Sequence, residues 1–203
     1  MQDIDEFISS IAAAVPLPAG GSAAALAGAL AAALGEMMAG LTEGRETFAS
    51  VQSQVHSIHA KLTSLRGMFR TLVLEDAAAY QSLLDAKRLP RETEVQKAAR
   101  SDAIEQCTRG ATETPLRMAL IALEVLEYLK ILFEIGNPHV KYDIATGVQL
   151  ACAVLKSGQY NILANIRGMR DASFANSCGN EISDLVLRGS EILQQIERQV
   201  MAH

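Results

Sequence analysis

Apolar positions recur at intervals of three or four along most of this chain, the spacing of one face of an α-helix. The longest run is Val51, Val55, Ile58, Leu62, Leu65, Phe69, Leu72, then Asp76, Ala79 and Leu83, which predicts one buried stripe on a helix from about Phe48 to Leu89. A helix from Asp3 to Ala14 precedes it, stopped by Val15-Pro16-Leu17-Pro18 because proline cannot continue a helix. Gly20-Gly21-Ser22 then opens an Ala-rich helix, with Ser22 placed as its N-cap. On that helix Ala24, Gly28, Ala31, Ala32 and Gly35 share a face where another backbone can approach closely. Past Leu89-Pro90 the pattern predicts a more polar helix over Glu92–Thr112, with Thr114-Pro115 as a new cap or a kink, and an apolar helix over Leu116–Ile135. Gly136-Asn137-Pro138 ends that one, and further helices are expected at Lys141–Lys156, Gln159–Gly168 and Asp171–Met201. No segment alternates as a strand would. The expectation is an all-α, up-and-down bundle forming a single domain over residues 1–203.

Composition narrows the partners. Of 203 residues 49% are hydrophobic, which suits a packed core, and a net charge of −5 argues against nucleic acid. The Ala-rich segment is long enough to span a bilayer, but Ala and Gly gain little in hydrocarbon and Glu36 interrupts it, so a buried helix is expected and no membrane partner. Three cysteines without CxxC spacing predict reduced thiols and a cytoplasmic protein.

Among residues that could carry chemistry, Asp76 stands out as a carboxylate in an otherwise apolar stripe. Burial there would favour its protonated form and suit it to proton transfer near neutral pH; an ion pair with an Arg on a facing helix, or a slight rotation of the helix that exposes it, are the structural alternatives. The Gly20-Gly21 turn could bring backbone N–H groups to an anion or carbonyl. Asn161 and Asn165 share a helix face at i, i+4, where they could bind one ligand or tie two helices. His139 and Asp143 follow the Gly136 break, and Arg45, Arg66, Arg70, Arg167 and Arg170 offer cations whose default is solvated surface. His56 and His59 are three apart but lack a partner motif, so no metal site is expected. Dinucleotide, P-loop and serine-hydrolase signatures are absent.

Taken in order, several pieces form a recognisable pattern: Pro18-Ala19-Gly20-Gly21-Ser22 running on to Leu30, Leu41-Thr42 with Gly44-Arg45, Glu75-Asp76 with Ala78, Ala79 and Tyr80, and Arg88-Leu89-Pro90. Arg100, Pro115, Gly136-Asn137, Asp143 and Asn161-Ile162 with Asn165 complete it. The chain resembles the formiminotetrahydrofolate cyclodeaminase / methenyltetrahydrofolate cyclohydrolase family from about Phe7 to Asp171. The resemblance implies a dimeric helical bundle that binds a tetrahydrofolate derivative, with no cofactor beyond that substrate. It places the catalytic aspartate on Asp76, a glycine-rich substrate turn on Gly20, Gly21 and Ser22, and further substrate contacts on Arg45, Asn137, Asp143, Asn161 and Asn165. Ala19 replaces the family's usual third glycine, and Arg45 its usual lysine. The length leaves no space for an accompanying formiminotransferase domain, so a stand-alone form is expected. Of the two reactions, conversion of 5-formiminotetrahydrofolate to 5,10-methenyltetrahydrofolate with loss of ammonia is the first expectation, and methenyltetrahydrofolate hydrolysis the second. A non-enzymatic helical interaction protein is the reading from a different class.

Overall fold

The computed structural model describes residues 3–202, and all its regular elements are helical. They are α1 (Ile4–Ala12), α2 (Gly20–Thr42), α3 (Gln52–Lys87), α4 (Glu94–Ile135), α5 (Lys141–Ile166) and α6 (Ala172–Met201). Short 3-10 turns at Glu46–Val51 and Pro138–Val140 lead into α3 and α5. Helices α2 to α5 run up and down, each against its chain neighbour, and α5 returns to close the ring on α2. Helix α6 lies over α4 and α5.

Local chemistry explains most of the helix ends. Thr93 and Gln96 form a reciprocal capping box at the start of α4, with N–H to oxygen distances of 3.2 and 3.1 Å. Asp171 caps α6 by accepting from the Phe174 N–H at 3.0 Å. The Glu105 carboxylate accepts the Arg170 and Asp171 N–H groups from the same turn. The Asp171 and Arg170 N–H groups, assisted by the Arg170 guanidinium, hold Glu105 below the ordinary carboxylate range. Gly168 sits at φ +112°, a conformation that a side chain would strain, and turns the chain from α5 towards α6.

The stripe on α3 is buried as predicted: Val55, Ile58, Leu62, Leu65, Phe69, Leu72 and Leu83 all lie in the core. Several boundaries differ from expectation. Helix α1 is shorter than Asp3–Ala14, and α3 begins at Gln52, with residues from Glu46 to Val51 in the tighter 3-10 turn. Helix α4 runs unbroken through Pro115, and α5 runs unbroken through Ser157-Gly158. Ser22 is not an N-cap; Ala19 occupies that position without a side-chain bond, and Ser22 is fully buried inside the first turn.

The small-residue face of α2 is used inside the bundle. A Cβ on Gly28 would lie 2.4 Å from the buried Phe69 ring, and one on Gly35 2.7 Å from Leu62. Gly28→Leu should therefore destabilise by about 3 kcal/mol, read as a fall in the urea midpoint, because Phe69 has no free volume to enter. A midpoint within error of wild type would contradict this packing. Helix α2 is long and apolar enough to cross a bilayer by length and composition, yet it packs on α3, α4 and α5. Its Glu36 is held by Arg66 through Nε and Nη2 and by the Thr63 hydroxyl at 2.9 Å, tying the one charge within the helix to α3.

Candidate functional site

A cleft of about 330 Å³ opens where the N-terminal end of α2 meets α3, α4 and α5. Gly20 and Gly21 form one wall, Asp76, Ala79 and Tyr80 another, and Ala111, Pro115, Asn161 and Asn165 the far side. Pro16, Leu17 and Ala19, from the segment entering α2, complete the rim.

Asp76 reaches this cleft from the buried stripe of α3. Its carboxylate lies directly over Gly21, where a Cβ would sit 2.1 Å from Oδ1. Glycine is thus the residue that admits the carboxylate to the first turn of α2. Burial raises the Asp76 pKa above its ordinary value, opposed by hydrogen bonds from the Ser22 hydroxyl and the Ser22 backbone N–H. The ion-pair alternative does not hold: the bonding partner of the carboxylate is Ser22, not an arginine.

Ser22 explains how both charge states of Asp76 are tolerated. Its Oγ is 3.1 Å from Asp76 Oδ2 and also 3.1 Å from the Val73 carbonyl. The hydroxyl donates to an ionised Asp76. When Asp76 is protonated, Asp76 donates to Oγ and the hydroxyl turns to Val73. Neither state leaves a buried polar atom unpaired. A single rotor therefore satisfies the carboxyl in either charge state. This is a holding role; the fully buried Ser22 does not line the cleft.

On the far wall, Asn165 Nδ2 donates to the Ala111 carbonyl at 2.9 Å. Asn161, one helical turn earlier, lines the same cleft. The shared face read from the sequence thus both ties two helices and borders the cleft.

Three residues assigned by resemblance lie elsewhere in the protomer. Arg45, Asn137 and Asp143 cluster near the C-terminal end of α2, a helix about 34 Å long, so the cleft is at its opposite end. Asn137 is buried: its N–H donates to Thr42 Oγ1 at 3.0 Å and its Nδ2 to the Leu41 carbonyl at 3.3 Å. Arg45 and Asp143 are exposed.

The other candidates are accounted for by local bonds or lie in solvent. His56 and His59 Nδ1 lie 3.3 and 3.2 Å from Glu43, and no metal-binding cluster occurs among the described residues. Arg66 pairs with Glu36, and Arg170 with Asp102 and Glu105. His139, Arg70 and Arg167 are exposed. A second groove, of about 260 Å³, lies between α5 and α6 beside Cys152. Burial, helped by Glu197, pushes that thiol up to about 11, so it remains protonated and offers no nucleophile at neutral pH.

What the sequence reading missed in this cleft is the backbone: the Ala111 carbonyl and its relation to Pro115. The available signal was a proline four residues after Ala111 within a sustained helical pattern, since its missing N–H leaves that carbonyl without its helical donor.

Comparison with known proteins fits this arrangement. A methenyltetrahydrofolate cyclohydrolase from Methylorubrum extorquens is 31% identical over 199 residues, 98% of this chain and 96% of its own. The formimidoyltransferase-cyclodeaminase of Gallus gallus is 28% identical over 196 residues, covering 97% of this chain but only 36% of that protein. The chain thus spans about a third of the longer relative. A solved formiminotetrahydrofolate cyclodeaminase from Thermotoga maritima has the same fold, with a TM-score of 0.89 across 99% of this chain and 96% of that one at 21% identity. The family model described as formiminotransferase-cyclodeaminase matches residues 3–184, and with it the helices that build the cleft: the chain belongs to the formiminotransferase-cyclodeaminase family.

Proposed function

We propose that this chain is an enzyme acting on the one-carbon unit held between N5 and N10 of tetrahydrofolate, with Asp76 as the proton carrier. The observation that carries the reading is a partly buried carboxyl, raised in pKa, at a cleft edge with a rotor that serves both its charge states. In the first reading the substrate is 5-formiminotetrahydrofolate. N10 attacks the formimino carbon and gives up its proton, the tetrahedral adduct receives a proton on the exocyclic nitrogen, and ammonia leaves as the methenyl bridge forms. A carboxyl whose burial shifts it towards the protonated form suits delivery of that proton. Gly20, Gly21, Asn161 and Asn165 border the space the substrate would fill.

The second reading is hydrolysis of 5,10-methenyltetrahydrofolate to 10-formyltetrahydrofolate. The end-to-end similarity to the Methylorubrum extorquens protein favours it. Supplying the two folates separately decides between them. Ammonia release with methenyl absorbance appearing supports the first; loss of methenyl absorbance above the spontaneous rate, without deamination, establishes the second. Absence of both reactions would overturn the enzymatic reading and return the chain to an interaction role.

We also propose a homodimer. Ile4 and Ile8 on α1 are 72% and 57% exposed, and Leu30 on the outer face of α2 is 51% exposed. These are apolar helix faces with no partner among the described residues. Two copies packed across α2 in antiparallel fashion would bring Arg45 and Asp143 of one towards the cleft of the other, which is how these residues could reach substrate. Light scattering should report a dimer, and Leu30→Glu should convert it to monomer. A fully active wild-type monomer would rule the dimer out.

A further inference from the structure

Proline inside a helix removes one N–H and leaves the carbonyl four residues earlier without its donor. In α4 the proline is Pro115 and the carbonyl is Ala111, and both border the cleft. The vacated bond is filled from another helix, by Asn165 Nδ2 of α5 at 2.9 Å. The close approach of the two helices is visible at Gly158, where a Cβ would come within 3.2 Å of the Pro115 carbonyl oxygen. This pairing also settles which way the Asn165 amide faces. A carbonyl only accepts, so the NH₂ group must point at Ala111, and Oδ1 is turned away from it. Asn165, which borders the cleft, therefore keeps Oδ1 as an acceptor that Ala111 does not use.

We propose that Pro115 is a positioning residue: by vacating the Ala111 carbonyl it holds the Asn165 amide so that Oδ1 presents an acceptor to an N–H donor on the substrate's heterocycle. This rests on the folate reading above. It gives the cleft a polarity. A ring edge bearing N–H groups is accepted at the α5 wall, opposite Asp76 and the first turn of α2. A ring edge bearing only acceptors leaves Oδ1 desolvated and unpaired, and is disfavoured. The arrangement also accounts for an interior proline kept in a helix where its own contribution is destabilising.

The test is a double-mutant cycle on Pro115 and Asn165, read in whichever folate reaction the wild type performs. Pro115→Ala restores the N–H, lets Ala111 bond within α4 and releases the Asn165 amide. It should raise KM about 3- to 10-fold, the range of one hydrogen bond, with a smaller change in kcat and an increase in Tm. In an Asn165→Ala background the same substitution should leave KM unchanged, because the side chain through which it acts is gone. A KM unaltered by Pro115→Ala, or an effect of equal size in both backgrounds, would overturn the proposal, since the proline would then be acting through helix shape alone. Side-chain amide hydrogen exchange tests the orientation without any folate. The Asn165 NH₂ should be protected in the wild type and lose that protection in Pro115→Ala; no protection in the wild type overturns it. If the wild type binds and turns over neither folate, the substrate reading fails and the acceptor role falls with it, while the exchange result still shows whether proline orients the amide.

Discussion

Asp76→Asn should lose about 10²- to 10⁴-fold in kcat while keeping its helical spectrum. The amide is nearly isosteric and can still accept the Ser22 hydroxyl, so the first turn of α2 should remain in place. What it cannot do is gain and lose a proton. Stability should move in the opposite direction to activity, and the pH dependence gives the sign. Because burial raises the carboxyl above its unfolded value, the folded protein retains a proton that the unfolded chain releases. The stability this contributes is present in full below the unfolded carboxylate value and is lost as pH rises through the folded one. Relative to the Asn variant, the wild type should therefore be less stable at neutral pH, and the difference should close on acidification below the ordinary carboxylate range. Urea unfolding of both proteins across pH measures it. Near-normal kcat in the variant would remove Asp76 from the mechanism. A stability difference independent of pH would show that desolvation of the charge is not its source.

The second large effect is expected from the smallest substitution in the site. Gly21→Ala places a methyl group where Asp76 Oδ1 now lies, 2.1 Å away. The obstacle is a side-chain carboxylate, so the fold can accommodate the methyl group by swinging Asp76 aside. That movement breaks the 3.1 Å bond to Ser22 and takes the proton carrier out of register with the cleft. The lost bond costs about 1 kcal/mol, and the better helix propensity of alanine offsets it by a similar amount. Tm should therefore change little while kcat falls by about 10²-fold, since misplacement by an ångström is enough for such a loss. Retained activity would mean that the position of Asp76 over the glycine is incidental to turnover. A large fall in Tm would show that the carboxylate cannot leave.

Comparing these residues with the sequence shows where local reading works. The buried face of α3 was legible because a period of three or four needs no knowledge of the partner, and Asp76 was conspicuous against it. Ser22 was misread because the capping rule is local. Its hydroxyl instead finds Val73 and Asp76, more than 50 positions along the chain. At Pro115 the cap alternative fails, since α4 runs through it, and the donor that meets the Ala111 carbonyl is Asn165, 54 residues further on. Gly158 resembled a break between helices and is instead the close approach that brings α4 and α5 together. Arg45, Asn137 and Asp143 show the other limit. The resemblance groups them with Asp76, but the fold places them in segments around the end of α2 remote from the cleft, a separation that no local pattern encodes.

Helix α2 has no side-chain cap of its own on Ala19, and the carboxylate of Asp76 stands at its first turn instead. A bare helix N-terminus attracts anions. This one already has a resident carboxylate, so an incoming acid finds its counter-charge taken and a like charge beside it whenever Asp76 is ionised. A nitrogen heterocycle, neutral or protonated, meets no such opposition. While Asp76 is ionised, we therefore expect a molecule with a basic ring at one end and a carboxylate at the other to be sorted by charge before any shape is read, ring inward and acid towards water.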